Sequence, residues 1–334
     1  MLHLMYSKAL VEIGLKGSMK MDNEVTRGEV KGIKIFWGVA LILLLIATFF
    51  DQQISEAVMN QNSWFGNFFQ NYGDAGDLII LFIASEIIGF YALHKFKHVG
   101  VKYTVALGAF AFAYNQMFNV WGRDYLYYTA SMINNYRHHL PLGLANNDGT
   151  GAPLFSATLQ WTTAIVSFVI FTYLIHLWLR NKNDAQFDYL LKAALVGIFV
   201  VEAAELAINK MKDIWGRFRP YEYSNNNPAE KFTPWYHLNG INGHKSFPSG
   251  HTMAGWLVLW ATFFVDRQNL KSQKYLTAFG IIFGIVVALS RIRIGAHWAS
   301  DTIVSSTIVV TIIFAGSRLL GAHFIENNET LPQN

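Results

Sequence analysis

The chain has no cysteine in its 334 residues. Disulfides, thiolate metal sites and a cysteine nucleophile are therefore excluded together. Charge is also scarce. Only 14% of residues are Asp, Glu, Lys or Arg, while 52% are hydrophobic; a soluble domain carries about a quarter charged residues. One soluble core does not keep growing with chain length, whereas apolar surface facing lipid need not be buried in protein. The deficit thus points to a membrane protein. The net charge of +4 comes without the basic block that nucleic-acid binders carry, so no nucleic-acid partner is expected. No cleavable signal is expected either. Residues 1–32 hold Lys8, Lys16, Lys20, Arg27 and Lys31 and no continuous apolar core before a small-residue cleavage site. Met21 offers an alternative start.

What the chain does have is long apolar runs. They fall at about 33–50, 77–94, 103–121, 157–179, 188–210, 251–266, 275–291 and 302–320. Crossing the hydrocarbon takes about 20 mainly apolar residues, and the sixth run is the shortest of the set. The expected fold is all-α: a polytopic membrane bundle of about eight transmembrane helices. A cytoplasmic segment over 1–32 precedes membrane helices and outer loops over 33–187. A core of C-terminal helices over 188–320 and a cytoplasmic tail over 321–334 complete the chain.

Basic residues set the orientation, because Lys/Arg-rich short loops stay cytoplasmic. Segment 51–76 has no Lys or Arg, and 122–156 has only Arg123 and Arg137. The intervening short loops hold Lys95 and Lys97, then Arg180 and Lys182, then Arg267, Lys271 and Lys274. Eight spans with both termini inside put all of those loops in the cytoplasm. Two outer segments, 211–250 and 291–301, break the rule with Lys212, Arg217, Arg219, Lys245, Arg291 and Arg293. Basic residues there need a local reason.

Three stretches in those segments supply it: Lys212 through Arg219-Pro220, Pro248-Ser249-Gly250-His251, and Ser290-Arg291 through His297 to Asp301. Charge alone places all three on one membrane face. Lys212, Arg219 and Arg291 offer three fixed cations for a phosphate dianion, and arginine forks match phosphate oxygens in pairs. Ser249 and Gly250 precede a helix start, where backbone amides and the helix dipole favour an anion. His297 and Asp301, four apart at a helix start, share a face. Asp301 is then expected to accept the Nδ1 proton and leave Nε2 as nucleophile, with His251 protonating the leaving oxygen. No metal or other cofactor is expected, since the cations take its place and would repel it.

Lys-x6-Arg-Pro, Pro-Ser-Gly-His and Ser-Arg-x5-His-x3-Asp resemble the three signatures of the type-2 phosphatidic acid phosphatase family, complete and in order. The resemblance covers about 188–320 and implies a helical bundle with the same residue roles. Family members include lipid phosphatases, glucose-6-phosphatases, soluble acid phosphatases and vanadium haloperoxidases. The expected activity is hydrolysis of a lipid phosphate monoester or diphosphate through a phospho-histidine, with the site on the outer, periplasmic side of an inner membrane. The same site would serve a lipid-to-lipid phosphotransferase. A transporter is the reading from another class, but transport sites lie near the bilayer midplane, whereas these cations lie at span ends.

Outside the signatures, Asn115-x-Met117-x-x-Val120-Trp121-Gly122-Arg123 resembles Asn209-x-Met211-x-x-Ile214-Trp215-Gly216-Arg217. One reading makes Arg123 a second clamp on the head group, and the other makes it an interfacial residue beside an aromatic belt. Glu86, Glu202 and Glu205 in spans read better as bundle-holding hydrogen-bond partners than as an ion path. Tyr125, Tyr127, Tyr128, Tyr136, His138 and His139 sit in a long outer segment that either covers the site or lies at the head-group level.

Overall fold

In a computed structural model the described residues are 2–140, 142, 155–223 and 231–326, with side chains from residue 25 onward. The expected tail beyond 326 and most of 141–154 lie outside them. Among the described residues every regular element is helical. In order these are α1 (Leu2–Val58), α2 (Trp64–Tyr72), α3 (Gly76–Lys95), α4 (Val99–Met117), α5 (Tyr125–Arg137) and α6 (Ala157–Leu179), then α7 (Asp184–Trp215), α8 (Pro220–Tyr223), α9 (Gly250–Leu257), α10 (Leu270–Arg293) and α11 (Ala299–Leu320). A π-helical turn, Phe118–Asp124, joins α4 to α5, and a 3-10 turn, Val258–Phe263, extends α9.

Among the described residues five helical stretches are long and apolar enough to cross a membrane: Val25–Val58, Trp64–Lys95, Ala157–Leu179, Leu270–Arg293 and Ala299–Leu320. The other three apolar runs coincide with α4, α7 and α9 with its 3-10 turn. Their lipid-side chemistry is weaker: α7 carries Lys192, Glu202, Glu205 and Lys210, and α9 has only eight residues before it tightens. The chain is a multi-pass helical membrane protein.

Small residues set the packing around α7. Its buried stripe, Ala193, Ala194, Gly197, Val200, Val201, Ala204 and Ile208, recurs at helical spacing and faces α3, α9 and α11. There Trp260 donates its indole N–H to the Ala193 carbonyl at 3.2 Å. Small interfacial residues permit such close approach between membrane helices. The opposite face of α7 shows Leu195, Phe199 and Leu206 outward, which suits lipid. Every residue of α9 from Thr252 to Leu257 is buried. This short central helix is ringed by α3, α7, α10 and α11.

Glu86, on α3, accepts a hydrogen bond from Thr172 of α6 at 2.8 Å. This is the helix-to-helix role expected of it. Residues 125–137 form α5 instead of an open loop, and α5 packs on α2 through Tyr72 and Thr129, whose hydroxyls are 2.8 Å apart.

Candidate active site

The three signature stretches end up on helix termini that meet. Lys212 lies in the last turn of α7 and Arg291 in the last turn of α10. Ser249 is the N-cap of α9, its hydroxyl accepting from the Thr252 amide at 3.3 Å. A further bond to that oxygen comes from the Thr252 hydroxyl at 2.9 Å, so the Ser249 proton is left to be donated elsewhere. Gly250 is where α7 and α9 touch most closely. A Cβ at that position would stand 2.6 Å from Lys212 Nζ, so glycine keeps the ammonium directly over the helix start. Arg219 reaches the Ala296 carbonyl at 3.4 Å, beside His297. Arg291 is almost wholly buried, with Nη1 on Gln70 Oε1 at 3.1 Å and its Nε without a hydrogen-bond partner. A buried guanidinium N–H left unpaired is costly, and an incoming phosphate oxygen would satisfy it.

The arrangement around His297 differs from the expected pairing. Helix α11 starts at Ala299, two residues after His297, so the two side chains do not share a helical face. His297 Nδ1 lies 2.6 Å from the carbonyl of Ser246 and 3.6 Å from Asp301 Oδ2. The carbonyl is the nearer acceptor because Asp301 folds back to cap its own helix, taking the Trp298 amide at 3.0 Å. Its carboxylate also accepts the Ser246 hydroxyl at 2.6 Å. Ser246 therefore bridges the two residues: its hydroxyl serves Asp301 and its carbonyl serves His297. A carbonyl only accepts, so a neutral His297 carries its proton on Nδ1 and presents its lone pair at Nε2. Burial holds the His297 imidazole well below its ordinary value of 6.5, with Arg219, Arg291 and Lys212 adding to the effect. It is neutral at physiological pH, the form a nucleophile requires.

Beneath this layer lies an ionic network that sequence reasoning missed. Arg217, wholly buried, donates to Asp301 at 2.5 Å, to Ser300 at 2.7 Å, to Asp51 at 2.9 Å and to the Thr233 carbonyl at 2.8 Å. Asp51, at the end of α1's apolar stretch, also accepts the Ser300 amide at 3.1 Å. A buried charge needs such complete pairing. An acid closing an apolar run and an arginine two residues before the signature arginine were the available signals. Neither is one of the signature residues.

His251 opens the α9 helix, and its Nε2 lies 3.2 Å from Asp74 Oδ2, without the alignment of a hydrogen bond. Arg123 does not join the cluster. It is exposed and pairs with its neighbour Asp124 at 2.9 Å. Thus Lys212, Arg219, Ser249, Gly250, His251, Arg291, His297 and Asp301 come together, and N-terminal residues Asp51, Gln70 and Asp74 complete the surroundings.

Residues 189–325 match the PAP2 superfamily. The C-terminal part of the chain thus carries a PAP2 superfamily domain. It is also 26% identical over 232 residues to phosphatidylglycerophosphatase B of Haemophilus influenzae, covering 59% of this chain and 89% of that protein. No solved structure matches the chain. The PAP2 segment runs from α7 to the end of α11, so all three signature stretches lie within it, while Asp51, Gln70 and Asp74 lie outside it.

Proposed function

We propose that this membrane lipid phosphatase hydrolyses a lipid phosphate monoester at the outer face of a bacterial inner membrane, in two steps through phospho-His297. The observation that carries the reading is the 2.6 Å contact between His297 Nδ1 and the Ser246 carbonyl, from which the tautomer of His297 follows. Its Nδ1 is held by the Ser246 carbonyl and its Nε2 lone pair is free to attack, beside three cations that would grip the phosphate.

In the first step Nε2 attacks phosphorus and the bond to the lipid oxygen breaks. His251 gives its proton to that oxygen, releasing the lipid alcohol. In the second, water attacks phospho-His297, His251 takes the water's proton, and inorganic phosphate leaves. Lys212, Arg219, Arg291 and the first-turn amides of α9 stabilise charge on the equatorial oxygens, where such groups contribute most to phosphoryl transfer. Asp301 acts through Ser246, anchoring the loop whose carbonyl aims His297. The outward orientation rests on the sparse basic residues in 51–76 and 122–156.

The relative's name makes phosphatidylglycerol phosphate the first substrate to try. The test is phosphate release by purified protein in detergent with chelator, from that lipid beside phosphatidic acid, an isoprenyl diphosphate and lipid A. His297→Ala should abolish release and the acid-labile phosphoprotein that brief incubation traps. Equal release by the variant would overturn the reading.

A further inference from the structure

The general acid of this site has a neighbour that no signature includes. Asp74 sits in the short connection between α2 and α3, and its carboxylate oxygen lies 3.2 Å from His251 Nε2. Both side chains are screened from solvent, His251 more than Asp74, at 16% and 33% exposed. The contact is built into the backbone. A Cβ at Gly76 would stand 1.9 Å from the Ala254 carbonyl, so the start of α3 presses against α9 where only glycine fits, one turn from His251.

We propose that Asp74 is the positioning residue of the general acid: its carboxyl group, set against Nε2, fixes the orientation in which His251 meets the leaving oxygen. This rests on the role given to His251 above. An acid must be charged before it can give a proton, and Lys212, Arg219, Arg291 and His297 all face His251. Burial and those groups disfavour an imidazolium, and Asp74 is the acidic group at contact distance from it. Asp77 and Asp124 face Asp74 in turn. The arrangement separates two tasks. His297 is aimed by a backbone carbonyl, and His251 by an acidic side chain.

The experiment uses the full-length enzyme in detergent and two substrates with different leaving groups. A lipid phosphate ester leaves as an alkoxide and needs a proton; p-nitrophenyl phosphate leaves as a stable anion and does not. Asp74→Asn should lower kcat on the lipid by about ten- to a hundredfold, within the range of general-acid effects, with KM and the first-turnover release of p-nitrophenol, which precedes the His251-assisted attack of water, little changed. In a His251→Ala background it should cost nothing further. Retained first-turnover aryl release shows that the variant is folded, and Asp74→Glu, which keeps the carboxyl group at a shifted position, should fall between. Equal loss on both substrates, added loss in the His251→Ala background, or no loss at all would overturn the assignment. Undiminished lipid turnover by His297→Ala would instead sink the phospho-histidine reading itself, so the two failures are told apart.

Discussion

Two helix ends in this molecule carry the same tripeptide and use it in opposite ways. Trp215-Gly216-Arg217 ends α7: Gly216 takes a left-handed conformation with φ of 51°, and the chain turns so that Arg217 enters the protein between Asp51 and Asp301. Trp121-Gly122-Arg123 ends nothing. The backbone loosens into a π-helical turn and runs on into α5, leaving Arg123 outside against Asp124. The next three residues make the difference. Phe218-Arg219-Pro220 cannot continue a helix, because proline lacks the amide and disfavours helix before it, whereas Asp124-Tyr125-Leu126 can. One local pattern thus gives a buried hub or an exposed rim charge, and the neighbouring residues decide which.

Removing each arginine is the strongest way to break the comparison. Arg217→Met leaves Asp51 and Asp301 facing one another without a cation, and stripping one partner from a buried ionic group costs about 3–5 kcal/mol. A large fall in thermal unfolding temperature and loss of lipid turnover are expected. Arg123→Met should change stability by less than about 1 kcal/mol, as exposed ion pairs do. Similar losses in the two variants would show that the burial difference has no energetic weight.

The glycines give a smaller effect of the same sign. A Cβ at Gly216 would lie 2.1 Å from the Gly240 carbonyl and sit on a left-handed backbone, which alone costs an L-residue about 1–2 kcal/mol. Gly216→Ala should therefore destabilise by more than that and loosen the Arg217 contacts. At Gly122 the nearest atoms to an added Cβ are the Gln160 carbonyl at 3.0 Å and Ala164 Cβ at 3.1 Å, with no positive φ. Gly122→Ala should cost under about 1 kcal/mol, read by thermal unfolding of the purified proteins.

Acid should also strike the Arg217 side first. His297 is neutral in the folded protein, its proton affinity depressed below the ordinary 6.5. The unfolded chain therefore binds the extra proton as pH falls through 6.5 and the folded one does not. Stability is complete above that point and declines below it, by up to about 1.4 kcal/mol per pH unit for one such group. Thermal unfolding at pH 7.5 and 5.5 measures it. His297→Asn should flatten the dependence, and an unchanged slope would show that His297 is charged in the folded state.

The two helix ends also show what sequence could disclose. The helical fold, the placement of α9 behind Ser249 and the meeting of Lys212, Arg219, Arg291 and His297 were legible, because short motifs at span ends carry both spacing and chemistry. The Ser246 carbonyl beneath His297 was not legible. Any residue offers a carbonyl, and its position depends on the 231–249 segment folding back over Arg217 through bonds such as the Ser246 amide to the Arg217 carbonyl at 3.0 Å. Asp51 and Asp74 were hidden for a related reason: each lies far along the chain from its partner, 166 residues in the case of Asp51 and Arg217. Periodicity and spacing describe neighbours in sequence, and these contacts are made only by tertiary packing.

The weakest expected effect is the one that tests the rim charge alone. If Arg123 were a second clamp, reversing it would repel the substrate's phosphate or head group and raise KM. Its exposure and its pairing with Asp124 argue for an interfacial role, in which screening limits any remaining influence on a charge at the site. Arg123→Glu should therefore leave kcat and KM on the lipid substrate within about twofold of the parent, or about 0.4 kcal/mol. The measurement belongs at low and moderate salt, because a long-range electrostatic contribution would appear at low salt and fade. A tenfold rise in KM at both salt levels would put Arg123 in contact with the head group and restore the likeness between the two Trp-Gly-Arg ends.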